Sequence, residues 1–183
     1  MSEILIRNGR VIDPQSGLDE ITSLLVRDGL IAEVGTSTEN AESVIDASNR
    51  IVAPGLVDTH VQLREPGFEE DETIESGSAA ALAGGFTSIA CLPNTDPPID
   101  TPAGVEFVRQ KAARACQANV HVLGCISKNR EGEELAEIGT LVESGAVAFS
   151  DAPAPLASTD LMRRALQYCL MFDKPIFSHA EVP

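Results

Sequence analysis

Apolar residues follow two different rhythms along this sequence, and the change comes near residue 50. Before it the runs are short: Ile4-Leu5-Ile6, Arg10-Val11-Ile12, Ser23 to Val26, Leu30 to Val34 and Ser43 to Ile45. Asn8-Gly9 and Asp28-Gly29 stand between them, and such dipeptides supply the positive backbone angles of a tight hairpin. No helical period is present, so residues 1–50 are expected to form a small β module.

Beyond residue 50, strand-like and helix-like runs alternate. Ile51 to Val61 reads as an apolar strand interrupted by Pro54-Gly55. Glu75 to Ala83 reads as a helix stopped by Gly84-Gly85, and Phe86 to Leu92 as a buried strand. Gly104 to Ala115 is helical by the spacing of Val105, Val108 and Ala112, and Val120 to Ile126 is a strand. A helix over Glu131 to Ser144, stopped by Gly145, and a short strand from Ala146 to Phe149 follow. Thr159 to Phe172 carries Leu161, Ala165, Leu166, Cys169 and Leu170 on one helical stripe. Pro175 to His179 reads as a last strand, and the sequence stops just after it on Val182-Pro183. Such alternation predicts a parallel sheet with right-handed crossovers. A doubly wound sheet and the first part of an eight-stranded barrel both satisfy it. No Gly-x-Gly-x-x-Gly follows the first strand, which counts against a dinucleotide-binding sheet.

Composition narrows the functional classes. With 183 residues, 43% hydrophobic and 22% charged, the chain is large enough for a real core and ordinary for a globular protein. No apolar run is long enough to span a membrane, and Met1 to Arg7 lacks the layout of a signal peptide, so a cytoplasmic protein is expected. The net charge of -15 argues against a nucleic-acid partner. The four cysteines show no Cys-x-x-Cys spacing, and Cys91 and Cys125 sit in apolar runs as small core residues; no disulfide framework is expected.

The densest chemistry lies between Pro54 and Gly67, at the carboxyl end of the first core strand, where barrel enzymes place catalytic groups. Asp58, His60, Gln62 and Arg64 share a face if the strand runs that far, because positions i and i+2 point the same way. A polar strand end in solvent is the alternative. Arg64 also suits a surface ion pair with Glu65 or Glu69, Asn94 a turn, and His179 a hydrogen-bonded core position. His121, inside a strand without acidic or histidine neighbours, reads as structural.

Pro54-Gly-Leu-Val-Asp-Thr-His60 with Leu63-Arg-Glu-Pro-Gly67, Gly84-Gly-Phe-Thr-Ser-Ile89 and Leu92-Pro-Asn-Thr-Asp-Pro-Pro98 resemble the class I dihydroorotases of the amidohydrolase superfamily. So do Asn8-Gly-Arg-Val-Ile-Asp-Pro14, Gly145-Ala-Val-Ala-Phe-Ser-Asp151 and Pro175-Ile-Phe-Ser-His-Ala-Glu181, so the resemblance covers essentially the whole chain. Hydantoinases and allantoinases share the pattern but match these segments less well. The resemblance implies an α/β fold: a small N-terminal β-sandwich module over 1–50, then an incomplete (β/α) TIM-type barrel of about five strands over 51–183. It implies a zinc-dependent hydrolase of pyrimidine biosynthesis that interconverts dihydroorotate and N-carbamoyl-aspartate through a metal-bound hydroxide.

Residue by residue, the implied site is incomplete. His60 matches the first histidine of the family's His-x-His pair, but Gln62 stands at the second, and a neutral amide oxygen is a poor zinc ligand. His179 matches a ligand on the fifth strand. Ser150-Asp151-Ala152-Pro153 stands where the family has Asp-Asp-Gly, so Ala152 occupies the position of the bridging ligand. Asp151 matches the first acid and could replace that ligand only by a one-residue slip, which reverses the face. Arg64 and Asn94 match the residues that hold the substrate carboxylate. The family's sixth-strand histidine and its catalytic aspartate after the eighth strand have no counterpart in residues 1–183, and two sheet edges are expected to be open. The expectation is either the N-terminal portion of a longer enzyme or a truncated, non-catalytic relative. The resemblance adds a homo-oligomer or aspartate carbamoyltransferase as possible partners beside the small-molecule substrate.

Overall fold

A computed structural model describes residues 2–35 and 41–181; the closing Val182-Pro183 lies outside the described residues. The chain divides into two compact units, Met1–Pro54 and Gly55–Pro183.

The first unit is one five-stranded sheet, β1 (Glu3–Asp13), β2 (Leu18–Arg27), β3 (Leu30–Val34), β4 (Ser43–Asp46) and β5 (Ile51–Val52). The order is β3-β2-β1-β4, with β5 also on β1. Asp28-Gly29 makes the expected hairpin, with φ of 51° and 80°. Asn8-Gly9 does not make a turn. β1 runs through it, and the pairing with β2 shifts register between Ile6 and Gly9. Asn8, at φ 63°, donates from Nδ2 to Asp46 Oδ1 at 3.2 Å. A bulge and a hairpin ask for the same positive φ, so the dipeptide alone does not distinguish them. Ile51–Val52 pairs with Arg10 and Val11, so this unit extends past residue 50.

The second unit carries a parallel sheet in the order β6-β7-β8-β9: β6 (Leu56–Val61), β7 (Phe86–Cys91), β8 (Asn119–Gly124) and β9 (Ala148–Phe149). Helices α1 (Ile74–Ala83), α2 (Pro102–Ala115), α3 (Ile138–Glu143) and α4 (Thr159–Met171) connect or follow these strands. Their starts are written locally. Thr73 and Ser76 form a capping box, Thr101 caps α2 with Pro102 next to it, and the Ser158 side chain accepts from Leu161 N.

Strand alternation then sorts the core into two layers. Ile89, Cys91, Val122 and Phe149 pack in one cluster with Ile74, Val105, Val108, Leu141, Ala165 and Cys169, which come from all four helices. Ala90, Leu92, Leu123, Ala148 and Ala152 form a second, smaller cluster with Val147 and Phe177. Helices on one face only are what part of a barrel requires, and a doubly wound sheet is excluded.

Two expectations need correction. The proposed helix over 131–144 is helical only at Ile138–Glu143. Lys128 N donates to Glu134 O and Ala136 N to Ile126 O, both at 2.9 Å, and Ser127 bridges Leu135. Backbone groups committed to that antiparallel pair are not available to a helix, so tertiary pairing overrides a good local propensity. The last strand, expected at 175–179, is reduced to a single parallel bridge, Phe149 to Ile176. Its partner β9 is two residues long and offers little more to pair with.

The cysteines are core residues rather than reagents. Burial pushes the Cys91 thiol up to about 12 and the Cys169 thiol to about 11, and raises Cys125 as well. Unfolded thiols ionise near pH 8.5, so the stability linked to these groups is whole below about pH 8.5 and falls as pH rises towards 11–12. Iodoacetamide at pH 8.5 is expected to modify only the exposed Cys116 in the native chain and all four thiols in denaturant. Native modification of two or more would contradict this packing.

Candidate functional site

β6 ends at Val61 and β7 at Cys91, yet the segments that follow stay zipped together. Leu92 N donates to Val61 O at 2.8 Å, Asn94 Nδ2 to Gln62 Oε1 at 3.1 Å, and Asp96 N to Pro66 O at 3.0 Å. Gly67 sits at φ 98°, where any Cβ would collide with the Asp96 carbonyl, so glycine alone permits this approach. Arg64 and Asn94 thus lie on two neighbouring loops at the carboxyl ends of adjacent strands.

The shared strand face expected for Asp58, His60, Gln62 and Arg64 is not present, because the strand stops short of the last two. It is also irregular: the register against β7 shifts between Asp58 and Val61. Asp58 Oδ1 accepts the His60 backbone N–H at 2.9 Å, a local bond that competes with the ladder.

Arg64 has a left-handed backbone, φ 60°, and a closely held side chain. Its Nε and Nη2 donate to Asp71 Oδ2 at 3.3 and 3.1 Å, and the guanidinium lies 4.3 Å from the Phe68 ring centroid. Neither Glu65 nor Glu69 is its partner. Glu65 is buried, accepts from Ile74 N at 2.8 Å at the start of α1, and pairs with Lys111 Nζ at 2.6 Å. Glu69 takes the Gly67 N–H at 3.0 Å, and that bond is the main reason its carboxyl lies below the usual range. Sequence reasoning missed Phe68 and Asp71. The available signal was the four-residue spacing from Arg64 to Phe68, one turn of a compact loop.

The residues expected at metal positions are engaged in other ways. Gln62 Oε1 is engaged by Asn94. Ala152 is 2% exposed within the apolar layer of Ala90, Leu92, Leu123 and Ala148. The Asp151 carboxylate is buried and fully used: Oδ1 accepts from Ile126 N at 2.9 Å and Ser127 N at 3.2 Å, and Oδ2 accepts Ser127 Oγ–H at 2.5 Å. It ties the end of β8 to the end of β9. His60 is exposed, and His179, 3.0 Å from Glu181 Oε2, is not the buried core histidine that was the alternative. His121 is exposed as well. Among the described residues, no group of three or more His, Cys, Asp or Glu side chains is placed to hold a metal ion. The donor set therefore does not fit zinc, which needs three or four protein ligands.

The one-sided helical layer over a parallel sheet recurs in solved structures. An L-hydantoinase (dihydropyrimidinase) from Arthrobacter aurescens matches 96% of this chain and 40% of its own, with a TM-score of 0.80 at 24% identity. A crystal structure of a dihydroorotase matches 96% of this chain and 50% of its own, with a TM-score of 0.64 at 14% identity. At such identities the likeness concerns the fold. The sequence goes further: the Dihydro-orotase-like family model matches residues 49–182, and the chain belongs to that family. A dihydroorotase of Syntrophotalea carbinolica is 49% identical over 98% of the chain, and one of Pelobacter propionicus 52% over 97%. The chain spans 42% of the length of these two relatives. No helix among the described residues is long and apolar enough to cross a membrane.

Proposed function

We propose that these residues form the substrate-anchoring part of a dihydroorotase-type site, in which Arg64 and Asn94 hold the carboxylate of dihydroorotate or N-carbamoyl-aspartate. Arg64 supplies a charged fork and Asn94 a neutral donor, the pairing such a carboxylate asks for. The observation that supports this reading is the zipped pair of loops, in which backbone bonds and the Gln62–Asn94 contact run the segments after β6 and β7 alongside each other. For a protein of the relatives' full length, the corresponding reaction is the reversible interconversion of those two compounds in pyrimidine biosynthesis. By resemblance His60 and His179 stand at zinc-ligand positions, but two histidines alone do not make a zinc site.

A non-catalytic role for residues 1–183 is favoured by two specific observations. Asn94 engages Gln62, and Ala152 packs in an apolar layer. Holding substrate does not accelerate its hydrolysis unless the transition state is held more tightly. Such a chain would serve as a structural partner, of aspartate carbamoyltransferase or of further copies of itself. Purified residues 1–183 are expected to turn over dihydroorotate no faster than buffer, with or without added zinc. Substantial turnover that is abolished by His60→Ala would overturn the reading of the metal positions.

A further inference from the structure

Phe68 is a large, half-buried apolar residue that belongs to neither apolar cluster of its unit. Its partner is the Arg64 guanidinium, 4.3 Å from the ring centroid. The loop is built to make that contact. Phe68 N donates to Arg64 O at 3.0 Å, Asp71 N to Phe68 O at 3.0 Å, and Glu69 fastens Gly67 N. The guanidinium carbon thus lies over the ring, while Asp71 Oδ2 takes the Nε–Nη2 side. No hydrogen bond to Nη1 is present among the described residues, so the Nη1–Nη2 edge is the one left for a ligand. Asp71 is 57% exposed, and an ion pair so open to solvent contributes little to stability. What the arrangement does is restrict a long, flexible side chain.

We propose that Phe68 is the positioning residue of Arg64, with Asp71 holding the guanidinium's second side, so that its free edge is presented to a ligand carboxylate before the ligand arrives. This inference rests on the carboxylate reading of Arg64 above. A planar cation stacked on an aromatic face keeps its in-plane N–H groups free for a fork-like contact. Less ordering then remains to be done on binding.

The test is calorimetric titration of N-carbamoyl-aspartate into purified residues 1–183 and four variants: Phe68→Leu, Phe68→Tyr, Arg64→Ala, and Arg64→Ala with Phe68→Leu. Leucine keeps apolar bulk and removes the aromatic face; tyrosine keeps the face. Phe68→Leu is expected to weaken binding about 2- to 5-fold, as the loss of an exposed cation–π contact implies. Phe68→Tyr should bind as the parent does, and Phe68→Leu should have no further effect once Arg64 is alanine. Parent-like affinity in Phe68→Leu, with Arg64→Ala weakened, overturns the positioning role alone. An equal loss from Phe68→Leu with and without Arg64 also overturns it, because the residue would then act on folding. Unchanged binding in Arg64→Ala, or no binding by the parent, overturns the carboxylate reading and this inference with it.

Discussion

Ala152→Asp is expected to destabilise the second unit by about 3–5 kcal/mol, the cost of an unpaired charge in an apolar site, and not to create a metal site. The substitution places an acid where the resemblance expects a metal ligand. In the structure the Ala152 side chain packs among Ala90, Leu92, Leu123 and Ala148, and the polar side chains beside it are already engaged, Arg130 Nη2 by the Asp151 and Ala152 carbonyls and the Ser150 hydroxyl by the Phe177 carbonyl. Among the described residues, no cluster of acids and histidines stands ready to share a cation with it. The nearest acid in the chain, Asp151, is already spent on Ile126 and Ser127. Thermal melting followed by circular dichroism should show a fall of about 10 °C, and the same fall with zinc present. Recovery of the parent melting temperature on adding zinc would show that the ligands do assemble.

Asp151→Ala is expected to cost about as much, for the opposite reason. Asp151 is a carboxylate at 4% exposure that satisfies two buried backbone N–H groups and one hydroxyl. Each buried donor left without an acceptor costs about 1–3 kcal/mol, and the Ser127 hydroxyl can turn to another acceptor, so the two N–H groups alone should cost alanine about 2–6 kcal/mol. An asparagine in its place keeps one acceptor oxygen but turns an NH2 towards a donor, and about half that loss is expected from Asp151→Asn. Hydrogen exchange at the Ile126 and Ser127 amides should accelerate with the global loss. A neutral Asp151→Ala would mean that the lock between the ends of β8 and β9 is not formed.

What could be read from the chain followed from local rules. The Val105–Val108–Ala112 spacing marked the buried stripe of α2, and Gly84-Gly85 marked the stop of α1. The alternation of strands and helices was enough to place the parallel sheet, and motif density enough to place the family. What could not be read depends on partners distant in sequence. Asn8-Gly9 becomes a bulge because β1 continues against β2 beyond it. Residues 131–137 leave the helix because the backbone at 126–128 claims their hydrogen bonds. Gln62 could be recognised as an absent histidine, but its bond to Asn94, 32 positions away, could not. Asp151 carried the same limit: an acid in a metal-site motif gives no sign that two backbone amides and a serine have already taken its oxygens. Phe68 was passed over because an aromatic residue in a loop is ordinary until its ring is seen beside Arg64.

Arg64 and Asn94 are proposed to hold a carboxylate in a site that owes nothing to a firmly bound metal. Titrating N-carbamoyl-aspartate into residues 1–183, first with EDTA and then with excess zinc, tests it most directly. The same dissociation constant is expected in both, weakened at least about tenfold by Arg64→Ala, as the loss of charge-assisted hydrogen bonds implies. Binding that appears only with zinc and disappears with His60→Ala would contradict it.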